Sequence, residues 1–256
     1  MTTLTDQPAR TVRVEPCMGT VFSFDLRDPG DWAEPLDEAV DFLRLADRIF
    51  STYRPDSDIS RMSRRELAPN DAHPYVAEVL GLCAEISAET DGYFSAISAG
   101  RIDPTGLVKG WAVQRASERL RRAGSVDHCL NGGGDVQTAG RAEPVRGWSI
   151  GVVDPRDNGR LVATVRPEPG EAVATSGTAE RGAHLVNPFT GRPAVTDLLS
   201  ATVVGPSLIR ADAYATAVFV MGLDAARRWI TSVPDYRAIL VSAAGPVLTC
   251  DAAGSR

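Results

Sequence analysis

The feature that most limits the possible folds is a change in the pattern of the sequence at His128. From there onward, short runs rich in strand-forming residues alternate with Gly, Pro, Asn and Asp, which is typical of strands joined by tight turns. Many short strands in one half of a chain predict a large sheet rather than a helical bundle. The runs are CLN, VQTAG, WSIGVV, LVATV, AVATS and SATVVG, followed after one helical segment by AILVS and VLTC.

The first half adds a strand pair and three helices, and the second half contains one further helix. Residues 12–26 alternate as strands do on either side of the turn-prone Met18-Gly19. Apolar spacing predicts helices at about residues 35–50, 74–89, 107–122 and 208–221, with a polar loop at 51–64. The expected fold is α+β, a layered antiparallel or mixed β-sheet packed with helices. We expect one compact unit over residues 1–256, of which the polar residues 1–10 are flexible.

Charge, hydropathy and cysteine content exclude several functional classes. Acidic residues outnumber basic ones by 33 to 27, a net charge of −6, which argues against a general nucleic-acid binder but allows a small phosphorylated ligand. The longest apolar run, residues 213–223, is shorter than the roughly 20 residues of a membrane span. The start of the chain lacks the pattern of a secretory signal, and the four cysteines form no Cys-x-x-Cys pair. We therefore expect reduced thiols and a cytoplasmic protein.

The segment Asp103 to Lys109 (DPTGLVK) lies where a loop becomes a helix. Unpaired backbone N–H groups and the positive end of the helix dipole suit an anionic ligand there. The alternative is a capped helix with a solvated lysine, and the segment by itself favours that alternative.

A second candidate is the helical pair Asp212 and Thr216, whose spacing of four residues places both oxygens on one helix face. A carboxylate, a hydroxyl and a backbone carbonyl from elsewhere would make an oxygen site suited to Mg²⁺, which usually keeps waters and phosphate oxygens as further ligands. The alternative is an acid that favours the helix dipole beside a threonine that simply packs.

Two further segments are candidates for a functional role, one because it is rich in glycine and the other because it contains a histidine. Asn131 to Asp135 (NGGGD) lacks the spacing of a dinucleotide fingerprint and favours a tight turn that needs positive φ. His184 precedes a Pro/Gly turn and is a candidate general acid or base, although a lone histidine is more often structural.

Taken together and in order, the motifs resemble the ApbE-type family of FAD:protein FMN transferases over residues 18–222, about four fifths of the chain. Each motif alone is weak, but their shared order is specific. They are MGTVFSFDL, DRIFSTYRPDSDISRMSR, TDGYF, IDPTGLVKGWAV, LNGGGDVQ, ATSGTAER, HLVNPFTGRP and ADAYATAVFVMG.

The resemblance implies a T-fold-related architecture and a Mg²⁺-dependent enzyme. Such an enzyme cleaves FAD, attaches FMN through a phosphoester to a Thr or Ser hydroxyl of a partner flavoprotein, and releases AMP. Carried over by motif, the FAD-contacting positions are Met18, Tyr53, Asp103, Lys109 and the Val186 backbone, and the metal positions are the Gly106 carbonyl, Asp212 and Thr216. His184 is the implied acid/base. Tyr53 offers a surface for stacking, and Lys109 could pair with a phosphate or hold Asp103 in place.

The sequence departs from the family pattern in three places. Only eight residues separate Phe94 from Asp103, where the family has a longer segment with cofactor contacts, so the adenosine side is open, rebuilt or completed by another subunit. Asn187 replaces an Asp, and SGTAER replaces an acidic Ser-Gly-Asp-Tyr-like stretch. Two alternatives to transfer therefore remain: hydrolysis of FAD to FMN and AMP, and flavin binding without catalysis. The acceptor and the oligomeric state are not predicted.

Overall fold

The computed structural model describes residues 10–98, 100–177 and 185–251, with an antiparallel sheet of eight strands at its centre. The sheet order is β1-β2-β5-β6-β9-β12-β13-β14. The segment expected to be flexible, residues 1–10, lies outside the described residues except for Arg10. The strands are β1 Thr11–Cys17, β2 Thr20–Leu26, β3 Ile97–Ser98, β4 Arg101–Ile102, β5 His128–Gly132, β6 Asp135–Ala139, β7 Ile150–Asp154, β8 Asp157–Val165, β9 Ala172–Gly177, β10 Val186–Asn187, β11 Arg192–Pro193, β12 Leu198–Gly205, β13 Arg237–Ser242 and β14 Val247–Asp251.

The helices pack mainly on one face of this sheet. Helix α4 lies against α1 and α5, and α5 in turn packs on β9 and β12. Phe22, Phe24 and Leu26 of β2 are buried in the same core as Trp111 of α4. The helices are α1 Ala33–Phe50, α2 Asp58–Ser63, α3 Pro74–Glu89, α4 Thr105–Arg122, α5 Leu208–Met221 and α6 Leu223–Ile230.

The opposite face of the sheet is covered by the β7–β8 hairpin. Val152 and Val165 from the hairpin form a second apolar cluster with Val136, Val173 and Val204 from the central strands. Because successive side chains of a strand point to opposite faces, β9 contributes Val173 to this cluster and its alanines to the helix side. The molecule therefore has three layers, which confirms the predicted α+β class.

Two short helices differ from the sequence expectation. Helix α2 lies inside the predicted polar loop, because the buried Ser57 accepts a hydrogen bond from the Ser60 N–H at 3.1 Å and begins the helix. Helix α6 follows directly after Gly222, whose φ of +75° ends α5. In the described part of the chain, no helix combines the length and the apolarity needed to cross a bilayer.

Candidate active site

A cavity of about 510 Å³ lies at one end of the sheet, where the β5–β6 turn and the end of β9 approach α4 and α5. The β7–β8 hairpin forms its opposite wall through Gly151, Val153 and Asn158. One part of the lining is polar and the other apolar. The polar residues are Ser95, Asp103, Thr105, Lys109, Asn158, Thr175, Ser176, Ser200, Asp212 and Thr216, and the apolar ones include Tyr93, Phe94, Ile97, Val152, Val153, Leu185 and Val186.

The first turns of α4 supply one polar edge of the cavity. The Asp103 carboxylate accepts hydrogen bonds from the N–H and the hydroxyl of Thr105, at 3.1 and 2.6 Å. These bonds tie the Asp103 carboxylate to the first residue of the helix, whose N-cap position is occupied by Pro104. Gly106 lies in the first turn of α4 and Lys109 at the start of the second, and both line the cavity, so the expected loop-to-helix site faces the cavity.

Asp212 and Thr216 of α5 both line the cavity, as their spacing predicts. The Gly110 N–H donates to Asp212 Oδ2 at 2.9 Å, and Ser176 Oγ lies 3.1 Å from Thr216 Oγ1. The two helices come this close because residue 110 has no side chain: a Cβ there would lie 2.7 Å from the Leu208 carbonyl oxygen. Gly110 therefore holds the Asp212 carboxylate against α4.

Asp135 is a site residue that the sequence interpretation missed. The glycine turn before it was predicted correctly, since Gly133 and Gly134 have φ values of +58° and +94°. Asp135 Oδ2 lies 2.7 Å from Lys109 Nζ, and its side chain is almost completely buried. An acid at the end of a glycine turn was the available signal, but its partner lies on a distant helix.

Burial strongly perturbs the protonation of the Asp212 carboxyl. Its pKa is raised because the group is desolvated and because the charge of Asp135 is nearby, while Lys109 and the Gly110 N–H act in the opposite direction. Two buried carboxyl groups share this end of the cavity with one lysine. A bound cation would relieve their repulsion.

The donors around Asp212 fit a hard divalent cation. The carboxylate of Asp212, the hydroxyl of Thr216 and the backbone of Gly106 are all oxygen donors, and a Cβ on Gly106 would lie 3.8 Å from Thr216 Oγ1. Within the described ranges, no three His, Cys, Asp or Glu side chains form a metal-binding cluster. Such a sparse set suits Mg²⁺, which keeps water and phosphate oxygens in its shell.

Other predicted residues are less closely tied to the cavity. Val186 lines it, whereas Met18 and Tyr53 are not among its lining residues, and Tyr53 is 95% exposed. His184 lies outside the described residues. Asn187 accepts hydrogen bonds from the Phe189 and Thr190 N–H groups and so shapes the turn beside Val186.

The short segment after Phe94 forms part of the cavity wall. Phe94, Ser95 and Ile97 line the cavity, and β3 and β4 pair to return the chain to Asp103. The two short strands thus form a small antiparallel pair at this edge.

The fold and the site together define a three-layered α+β protein whose eight-stranded sheet carries an oxygen-lined cavity beside one lysine. The ApbE family model matches residues 18–100 and 96–240. The chain therefore belongs to the ApbE family, a family of flavin transferases.

Curated relatives and solved structures agree with this assignment. A protein of Salmonella typhimurium named FAD:protein FMN transferase is 22% identical over 88% of this chain and 82% of its own length. One of the same name from Vibrio cholerae is 27% identical over 62% of this chain, but only 50% of its own length is spanned. The apo structure of Pseudomonas stutzeri flavinyl transferase ApbE superposes with a TM-score of 0.82, at 23% identity over 98% of this chain and 97% of that one. At that identity the superposition establishes the fold.

Proposed function

We propose that this protein transfers FMN from FAD to a Thr or Ser hydroxyl of a partner flavoprotein in a Mg²⁺-dependent reaction that releases AMP. The observation that carries the proposal is the convergence of Gly106, Lys109, Asp212 and Thr216 on one cavity. The names of the curated relatives support FAD and an acceptor protein as substrates. The four free cysteines favour a reducing compartment, the cytoplasm.

In the proposed reaction, the acceptor hydroxyl oxygen forms a bond to the phosphorus of the FMN half. The bond from that phosphorus to the bridging oxygen breaks, AMP leaves with the bridging oxygen, and the hydroxyl proton passes to a base. His184 is the candidate base from the sequence. Lys109 and the amides at the start of α4 bind the phosphate oxygens, on which negative charge develops.

Mg²⁺ would be held by the Asp212 carboxylate, the Thr216 hydroxyl and the Gly106 carbonyl, and would neutralise diphosphate charge. The Gly110 N–H, whose usual helical acceptor is the Gly106 carbonyl, donates to Asp212. This competition leaves the Gly106 carbonyl a better ligand. Ser176 keeps the Thr216 hydroxyl oriented along the cavity wall.

The apolar part of the lining suits the rings of the dinucleotide. Ile97, Val153, Leu185 and Val186 all line the cavity, Val153 from the wall formed by the β7–β8 hairpin, and aromatic rings gain free energy by leaving water there. We also propose that FAD contacts Tyr53 and Met18, which lies in the neighbouring β1–β2 turn. This proposal rests only on the family motif.

The test compares the wild type with Asp212→Asn in FAD, Mg²⁺ and candidate acceptor proteins. AMP and FMN are quantified by chromatography, and protein-bound flavin by in-gel fluorescence. Asparagine keeps the size of the side chain and an acceptor for the Gly110 N–H but loses the charge, so we expect AMP release to fall at least about a hundredfold. The matched control is Asp224→Asn, an exposed acid at the start of α6, which should keep the wild-type rate.

Each outcome supports one of three candidate functions: transfer, hydrolysis or flavin binding without catalysis. AMP together with a fluorescent acceptor supports transfer, and AMP with free FMN supports hydrolysis. Binding of FAD without AMP, across all acceptors and metal concentrations, leaves a non-catalytic flavin-binding protein. Full activity of Asp212→Asn would refute the proposed metal site.

A further inference from the structure

Asp135 is buried and is held in place by the turn that precedes it. It is the first residue of β6, directly after the Gly133-Gly134 turn, and none of its surface is exposed. A Cβ at Gly133 would lie 2.6 Å from Thr20 Oγ1, so the turn is also packed against the neighbouring hairpin. The carboxylate therefore has little freedom to move.

Both oxygens of this carboxylate have partners. Oδ1 accepts a hydrogen bond from the Thr175 N–H at 3.3 Å, and Oδ2 lies 2.7 Å from Lys109 Nζ. A carboxylate engaged in this way by a backbone amide and an ammonium group is poorly suited to ligate a cation as well. Its position instead acts on Lys109.

The Lys109 ammonium needs an anionic partner to stay at one position beside the cavity. A lysine ends in a point charge on a stem of four rotatable carbons, so an unheld ammonium group samples many positions. The Lys109 side chain is 21% exposed and lines the cavity, close enough to solvent to move if the ion pair is lost. The ammonium carries three N–H donors and forms an ion pair with Asp135 Oδ2.

We infer that Asp135 is a positioning residue that holds the Lys109 ammonium where it meets the anionic diphosphate of the substrate. This inference rests on the proposed function. It assigns to the Asn131–Asp135 turn a role in the reaction that acts through Lys109 rather than by direct contact with the substrate.

The test is a double-mutant cycle with Asp135→Asn, Lys109→Met and the double variant, which isolates coupling between two residues. The dissociation constant for FAD is measured by flavin fluorescence, and kcat and KM by AMP release. We expect each single variant to lose about tenfold to a hundredfold in kcat/KM. The loss in the double variant should lie much closer to that of Lys109→Met than to the product of the two single losses, because Asp135 acts on the substrate mainly through that lysine, its other charged neighbour being Asp212.

Several controls separate positioning from a general loss of structure. Glu171→Gln is the matched control, since Glu171 also accepts a backbone N–H and pairs with a cation, Arg237, away from the cavity; it should leave kcat/KM unchanged. If Asp135→Asn does not fold, Asp135→Glu replaces it: the charge remains but the ammonium is displaced, and the loss should again vanish in the Lys109→Met background.

Additive losses in the cycle would overturn the inference, because Asp135 would then act independently of Lys109. If the wild type bound FAD but released no AMP, the proposed transfer would be refuted and the inference about Asp135 would still be tested. The double-mutant cycle would then use the dissociation constants for FAD in place of kcat/KM. A wild type that does not bind FAD would refute both.

Discussion

Replacing Gly110 with alanine tests whether the close approach of α4 and α5 builds the site. A Cβ at this position would lie 2.7 Å from the Leu208 carbonyl oxygen and 2.8 Å from Asp212 Cβ. The first contact falls roughly 0.7 Å short of ordinary van der Waals separation. Because the first obstacle is a backbone atom, a rotamer change cannot relieve it, and the two helices must move apart.

Two opposing effects set the magnitude for Gly110→Ala. Alanine in a helix interior gains about 1 kcal/mol over glycine, whereas overpacking of this kind costs about 1–3 kcal/mol. We expect a net loss of roughly 1 kcal/mol, seen as a fall of about 2–4 °C in Tm. The larger effect should be on catalysis, since moving α5 by a fraction of an ångström separates Asp212 and Thr216 from Gly106 of α4. A misplacement approaching 1 Å costs about a hundredfold in rate.

The assay measures Tm, urea unfolding and AMP release for Gly110→Ala beside Gly81→Ala. Gly81 lies within α3, and a Cβ there has no neighbouring atom within 4 Å. Gly81→Ala should therefore gain about 0.5–1 kcal/mol and keep full activity. If Gly110→Ala also gained stability and stayed fully active, the argument that this contact positions Asp212 would fail.

Two other predictions concern groups outside the metal site. Burial lowers the pKa of His128 from 6.5 to about 4, with the charge of Arg121 adding to the effect. Between these two pH values the unfolded chain therefore binds more protons than the folded one, and the free energy of unfolding should fall by about 2 kcal/mol as the pH drops from 7 to 5. In urea titrations, His128→Asn should make the free energy of unfolding less dependent on pH over this range. A pH dependence equal to that of the wild type would contradict the prediction. Phe189→Ala removes an aromatic contact to the cavity residue Tyr93, whose ring centroid lies 5.0 Å from that of Phe189. Because Tyr93 lines the cavity, the KM for FAD should rise a few-fold in this variant. The control Val195→Ala, at a fully exposed position, should leave KM unchanged.

The parts of this structure that the sequence predicts are those set by local patterns. Helix α3 begins and ends as expected because Pro74 occupies its first turn and its apolar residues recur at helical spacing. Asp212 and Thr216 share a face for the same local reason. Helix α2 was missed because its six residues carry little periodicity, and its start depends on the buried cap Ser57.

The contacts that organise the site are not local. Asp135 at the start of β6 meets Lys109 of helix α4, and the Gly110 amide reaches Asp212 across 102 positions of sequence. No spacing rule links these pairs, because they depend on how α4, α5 and β6 pack. A resemblance to a family carries the motif residues over, but it does not show that the aspartate of the NGGGD turn faces the lysine of the DPTGLVK segment.

The buried pair Asp135 and Asp212 implies a cost in stability that the proposed function explains. A desolvated carboxylate beside a second one destabilises the fold when no cation is bound. In EDTA at pH 7.5, Asp212→Asn should therefore raise Tm, by about 2–4 °C for a gain near 1 kcal/mol, since its amide can donate to Asp135 while its oxygen accepts the Gly110 N–H. The wild type should regain more when Mg²⁺ and FAD are added: saturation at a hundredfold the Kd is worth about 2.7 kcal/mol. The variant should gain much less, and Asp224→Asn should behave as wild type. If Asp212→Asn were less stable than the wild type in EDTA, yet equally stabilised by Mg²⁺ and FAD, the carboxylate would be a structural group and the cation would bind elsewhere.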